Sequence, residues 1–133
     1  KKVFGGSDKE MIYNVGPVPI KECPSLYDEC DFLFLPTFLE CFSASYAEAM
    51  IMKKPILTSD LSFAHTVCKD AAIYFDPMNP IDIVDKIIFL SEDKNLQEKL
   101  INKGLIISKS FNTAQQRAIE FLNICKNLIS RTV

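Results

Sequence analysis

The sequence predicts an α/β fold in which a parallel sheet is layered between helices. Two observations carry that expectation. Short apolar runs, led by Phe32-Leu33-Phe34-Leu35, stop at a proline or an Asp-Pro pair and suit strands buried on both faces. Between them lie segments with apolar residues at helical spacing, so strand and helix alternate about four times before a helical tail.

Lys1-Lys2-Val3-Phe4-Gly5-Gly6 reads as the end of a strand entering a glycine turn, and no initiating methionine precedes it. The domain is therefore expected to be incomplete at its N-terminus. Met11-Ile12-Tyr13-Asn14-Val15 is a β-favouring run closed by Gly16-Pro17. A short helix is expected over residues 20–29, then the Phe32–Leu35 strand. The next helix covers residues 45–52, with a start one turn earlier left open. Ile56-Leu57-Thr58 is a strand, residues 63–68 a weak helix, and Ile73-Tyr74-Phe75 a further strand ended by Asp76-Pro77.

Asn79-Pro80-x-Asp82 marks a helix start, with Asn79 as cap, Pro80 at the first position and Asp82 as the acidic N3 residue. Ile81, Val84, Ile87 and Ile88 define its expected buried face, through Leu90. Asp93 or Asn95 opens another helix, with Leu96 and Leu100 on one side and a weak point or bend at Gly104. A tail helix over about residues 112–130 starts near Asn112, where Ala114, Ala118, Phe121, Cys125 and Leu128 keep helical spacing.

A chain of 133 residues suits one domain, so residues 1–133 are expected to form a single unit. Its 48% hydrophobic and 24% charged residues are ordinary for a globular protein. The net charge of −2, with lysines scattered, speaks against a nucleic-acid surface. Five cysteines with no Cys-x-x-Cys pair, beside a single histidine, support neither a zinc site nor a secreted disulfide framework. No metal and no cofactor is expected. Without a signal peptide or a stretch of ~20 apolar residues, a cytoplasmic protein is expected, with docking at the inner face of a membrane still open.

In open parallel sheets ligands lie beyond the carboxyl ends of the strands. After the Phe32–Leu35 strand comes Pro36-Thr37-Phe38-Leu39-Glu40-Cys41-Phe42-Ser43-Ala44-Ser45-Tyr46-Ala47-Glu48-Ala49-Met50. Small and hydroxyl residues stand where a helix begins, and free N–H groups there can receive phosphate oxygens. Glu40 and Glu48 bracket the turn. A bland reading is also available: Ser45 and Glu48 fit a capping box, and Glu40 a solvated loop. The residues by themselves leave both readings open.

Several blocks, taken in order, are similar to one known family. They are Val15-Gly16-Pro17-Val18, Leu26-Tyr27, Cys30-Asp31-Phe32-Leu33-Phe34-Leu35-Pro36, Glu40-x-Phe42 through Glu48-Ala49-Met50, Pro55-Ile56-Leu57-Thr58-Ser59-Asp60, Asp70-Ala71-Ala72-Ile73-Tyr74-Phe75-Asp76-Pro77 and Phe111-Asn112. Together they resemble the C-terminal nucleotide-binding domain of the group 1 (family four) retaining glycosyltransferases, which face two Rossmann-like domains across a cleft in the GT-B arrangement. The resemblance covers nearly all of residues 13–125.

It implies that Glu40 faces the transferred hexose, that Glu48 binds the ribose hydroxyls, and that amides around Phe42, Ser43 and Ala44 approach the donor sugar or diphosphate. It also implies partners: a nucleoside diphosphate sugar, a glycan, lipid or small-molecule acceptor, and an N-terminal domain that this chain lacks. Some positions depart from the family pattern. Ser43 and Lys53 stand where relatives usually carry glycine, and Thr66 stands where many carry glutamate. The basic pair that holds the diphosphate in relatives has no match here.

The expected function is thus hexosyl transfer by a longer enzyme, with the fragment alone inactive. Rivals are a nucleotide-sugar epimerase or phosphorylase of related architecture, and a non-catalytic nucleotide-binding or assembly domain. His65 reads as a surface or packing histidine, and Tyr27, Tyr46 and Tyr74 as packing residues.

Overall fold

The apolar runs pair in parallel. A computed structural model, describing residues 13–130, places β1 (Leu33–Leu35), β2 (Ile56–Ser59) and β3 (Ala72–Phe75) in one parallel sheet of order β1-β2-β3. Leu33 lies beside Ile56, and Ile56 beside Ala72. Side chains alternate across a strand, so this register sorts them onto two faces. Leu33, Leu35, Ile56, Ala72 and Tyr74 join one core, whereas Leu57, Ile73 and Phe75 join the other.

Helices cover both faces. On the first, α2 (Ala44–Ile51) contributes Tyr46, Ala49 and Met50, and α3 (Ser62–Cys68) contributes Ala64 and Cys68. On the second, α4 (Pro80–Glu92) brings Ile83, Ile87 and Leu90, and α5 (Lys94–Ser108) brings Leu96 and Leu100. A single 3-10 turn (Ile20–Glu22) leads into α1 (Cys23–Glu29), from which Tyr27 packs on the first core. The α/β expectation holds, with three strands in the described residues where four were expected. Tyr13–Val15 has no regular structure, and the run's Met11 and Ile12, like the strand end read in residues 1–6, lie outside the described residues.

Several local expectations are corrected. β2 is fully buried, but β1 is not: Phe34 is 38% exposed, because β1 has a neighbour on one side only among the described residues. Phe34 stacks instead on Phe75, with ring centroids 5.3 Å apart. In α4 the cap is as expected, Asn79 Oδ1 accepting from the N–H groups of Ile81 and Asp82. Its buried stripe, however, is Ile83-Ile87-Leu90, while Ile81, Val84 and Ile88 face out. Two apolar stripes compete on this helix, and the sheet takes the one that periodicity did not favour.

α5 continues through Gly104 without a break. Gly104 is the contact at which α5 passes α2, where an added Cβ would stand 3.1 Å from Met50 Cγ. Leu96 and Leu100 before it belong to the second core, and Ile107 after it packs on the first. Asp93 caps α5 by accepting from Leu96 N–H. α6 (Ala114–Ser130) starts at a Thr113–Gln116 box: Gln116 N–H donates to Thr113 Oγ1, and Thr113 N–H donates to Gln116 Oε1. The helix, expected to start near Asn112, thus begins just after it. No residue of α6 is buried.

α2 ends in a Schellman motif: Lys54 N–H donates to Ala49 O, and Lys53 N–H to Met50 O. The motif needs a left-handed residue, and Lys53 supplies it at φ 57°. The lysine therefore carries the steric cost of a Cβ in the left-handed region. Among the described residues no helix is long and apolar enough to cross a membrane.

Candidate functional site

The candidate segment occupies the carboxyl end of β1, where the chain leaves the sheet and enters α2. A chain of hydroxyls fixes its two ends. The buried Tyr46 hydroxyl lies 2.6 Å from Thr58 Oγ1, and Thr58 Oγ1 donates to Leu35 O at 3.2 Å. Since Thr58 has one proton and gives it to the carbonyl, Tyr46 is the donor to Thr58. Three elements are joined at the root of the loop. Burial, first of all, raises the Tyr46 pKa above its usual value, and nearby Glu40 adds to the shift.

The start of α2 is open. Ser43 is its N-cap, in extended conformation, and no side chain caps the helix. The amides of Ala44 and Ser45 find no acceptor among the described residues. α4 and α5, by contrast, begin with filled caps. This overturns the capping-box reading of Ser45 and Glu48: Ser45 is inside the helix, and Glu48 lies on its second turn. Two buried hydroxyls at the carboxyl ends of β1 and β2, Thr37 Oγ1 and Ser59 Oγ, also have no partner among the described residues. Unpaired buried hydroxyls are uncommon and mark a place where water or a polar ligand would bind.

Glu48 is engaged elsewhere. Its Oε2 accepts the Tyr27 hydroxyl proton at 3.0 Å, across 21 residues of sequence. Burial, then the Glu48 hydrogen bond and charge, push the Tyr27 pKa up to about 12, so the phenol stays a donor. Tyr27 was expected to pack, and it does, but its partner was not readable from spacing. Two cavities meet at this pair. One, of about 300 Å³, is lined by Leu26, Cys30, Phe32, Leu33 and Phe34, and the other by Ile20, Pro24, Ile51 and Met52; Cys23, Tyr27 and Glu48 line both. Glu40, Phe42, Ser43 and Ala44 line neither.

Phe42 is half exposed and meets Phe111 edge-to-face at 6.3 Å, which holds the site loop against the end of α5. Ser43 is buried, Ala44 is exposed, and Glu40 is half-buried. His65 Nε2 lies 2.5 Å from Asp60 Oδ1, and its ring stacks on Tyr74 at 3.9 Å. That is a packing role, as expected. Thr66 gives its hydroxyl proton to Ser62 O, one turn back in α3. Among the described residues no group of three His, Cys, Asp or Glu side chains could hold a metal ion.

A family profile described as "Glycosyl transferases group 1" matches residues 9–105, which is well over half of the chain and spans every element from α1 through most of α5. The chain belongs to the group 1 glycosyltransferases. Within this family it is 30% identical, over 108 residues, to the O-antigen chain mannosyltransferase B of Escherichia coli. That stretch is 80% of this chain and 28% of the mannosyltransferase, so the chain spans under a third of that relative's length. No solved structure matches significantly. The glycosyltransferase profile covers the open start of α2, both glutamates and the Tyr46–Thr58–Leu35 linkage.

Proposed function

We propose that the protein transfers a hexose from a nucleoside diphosphate sugar to a glycan, lipid or small acceptor, with retention at the anomeric carbon. One observation carries this reading: a glycosyltransferase segment leaves the carboxyl end of a parallel sheet and begins a helix whose first amides have no acceptor. Such amides, with the positive end of the helix dipole, stabilise charge on a departing diphosphate.

Glu40, beside this helix start, is assigned to the donor hexose, and the backbone at Phe42, Ser43 and Ala44 to the sugar or diphosphate. Glu48 is assigned to the ribose, since a carboxylate accepts from vicinal hydroxyls. The bond from the anomeric carbon to the phosphate oxygen breaks, and the acceptor hydroxyl attacks from the same face. The departing phosphate oxygen takes the acceptor's proton. A second domain completes the cleft and excludes water from it. Mannose is the first sugar to test, because the Escherichia coli relative is a mannosyltransferase.

The test uses the full-length protein with a panel of nucleoside diphosphate hexoses, reading transfer and nucleotide affinity separately. Glu40→Gln should reduce turnover more than nucleoside diphosphate affinity. Glu48→Gln should raise the dissociation constant of the nucleoside diphosphate roughly ten-fold. A full-length protein that binds nucleotide but transfers no sugar to any acceptor would favour the non-catalytic binding domain instead.

A further inference from the structure

We propose that Tyr27 is a positioning residue for nucleotide recognition, holding Glu48 in the orientation that reads the ribose hydroxyls. The proposal rests on the assignment of Glu48 above. Glu48 is exposed and stands in the second turn of α2, where an unrestrained glutamate samples many rotamers. Fixing such a side chain on ligand binding costs affinity, and fixing it beforehand recovers that cost.

Tyr27 does this from α1. Its hydroxyl donates to Glu48 Oε2 at 3.0 Å, while a second acceptor, Ser45 O, is distant at 3.5 Å. The ring is anchored against the first core, so the donor itself does not wander. A carboxylate offers about four lone-pair sites. Tyr27 takes one on Oε2, and Oε1 has no hydrogen bond among the described residues. Enough acceptor capacity remains for two hydroxyls, now in a fixed plane. The pair also forms the wall shared by the two cavities beside α2, so its orientation shapes both.

The alternative is that the bond merely clamps α1 to α2. Calorimetry on the full-length enzyme separates the two, using UDP, GDP and ADP with their 2′-deoxy counterparts. Tyr27→Phe keeps the ring and removes the donor. It should raise the dissociation constant of whichever ribonucleotide binds by about five-fold. The 2′-deoxy counterpart should weaken less, so the ribose preference falls. Tyr27→Phe should add nothing in the Glu48→Gln background.

Equal weakening of ribo and deoxy forms overturns the proposal in favour of a clamp. Wild-type behaviour of Tyr27→Phe beside a weakened Glu48→Gln also overturns it, and leaves the ribose assignment standing. If neither substitution changes binding, or no nucleotide binds the wild-type enzyme, both fall. The ratio of ribo to deoxy affinity is measured on the same folded population, so it stays informative if Tyr27→Phe lowers Tm.

Discussion

The Tyr46 hydroxyl donates to Thr58, and Thr58 donates to the Leu35 carbonyl, so α2, β2 and the end of β1 share one buried chain of protons. The direction of donation makes the two partners unequal. Tyr46→Phe removes one donor and leaves Thr58 bonded to Leu35, a loss of about 1 kcal/mol. Thr58→Val leaves a fully buried phenol without its acceptor, and should cost about 2–3 kcal/mol. Urea unfolding of both variants checks the order. A costlier Tyr46→Phe would mean that the chain runs the other way.

Lys53 offers a stabilising substitution. It is the left-handed residue of the Schellman motif at the end of α2. Lys53→Gly relieves Cβ strain at the expense of some unfolded-chain entropy, for a net gain of about 1 kcal/mol. Lys53→Ala keeps the Cβ and should gain nothing. A thermal melt showing equal gains for both would shift the explanation from backbone strain to lost charge.

Stability should fall in alkali. Burial raises the Cys68 thiol from 9.0 to about 12, and burial with Glu48 raises Tyr27 from 10.0 to about 12. Groups with raised folded pKa values contribute stability that is complete below the unfolded values and lost as pH climbs toward the folded ones. The window is therefore pH 9 to 12, using those same values. Denaturant unfolding across it should show a falling free energy. Cys68→Ala should flatten the onset near pH 9, since its unfolded thiolate is gone. A flat profile in the wild-type protein would contradict both shifts.

Cys41 reports on the site. It is an exposed thiol next to Glu40, and Cys125 on α6 is an exposed thiol far along the chain. With a bound nucleoside diphosphate sugar, alkylation of Cys41 should slow several-fold while Cys125 reacts as before. Mass spectrometry of the labelled peptides gives both rates. Unchanged Cys41 labelling at saturating donor would move the hexose away from Glu40.

What could be read in advance follows a physical division. Asn79-Pro80 and the Ile56–Thr58 run were legible because capping and complete burial are local or one-dimensional properties. Glu48 was not, because its partner Tyr27 is brought to it by the packing of α1 on the first core. α2 starts after Ser43 rather than after Ser45, because several hydroxyl residues in a row offer rival starts. On α4, the stripes through Ile81 and through Ile83 are both helical in period, and only the sheet could choose. The parallel architecture survived these errors since it depends on the strands alone.

β1 bears on how the protein can be divided. It is three residues long, sits at one side of the described sheet, and keeps Phe34 partly in water. Among the described residues no strand pairs with its outer margin; an uncovered margin beside an aromatic ring is adhesive toward other copies, and charge or proline is the usual protection. Leu33, Phe34 and Leu35 have neither. A gene segment that ends its coverage beside β1 should yield material that associates along that margin. Expression boundaries belong well away from it.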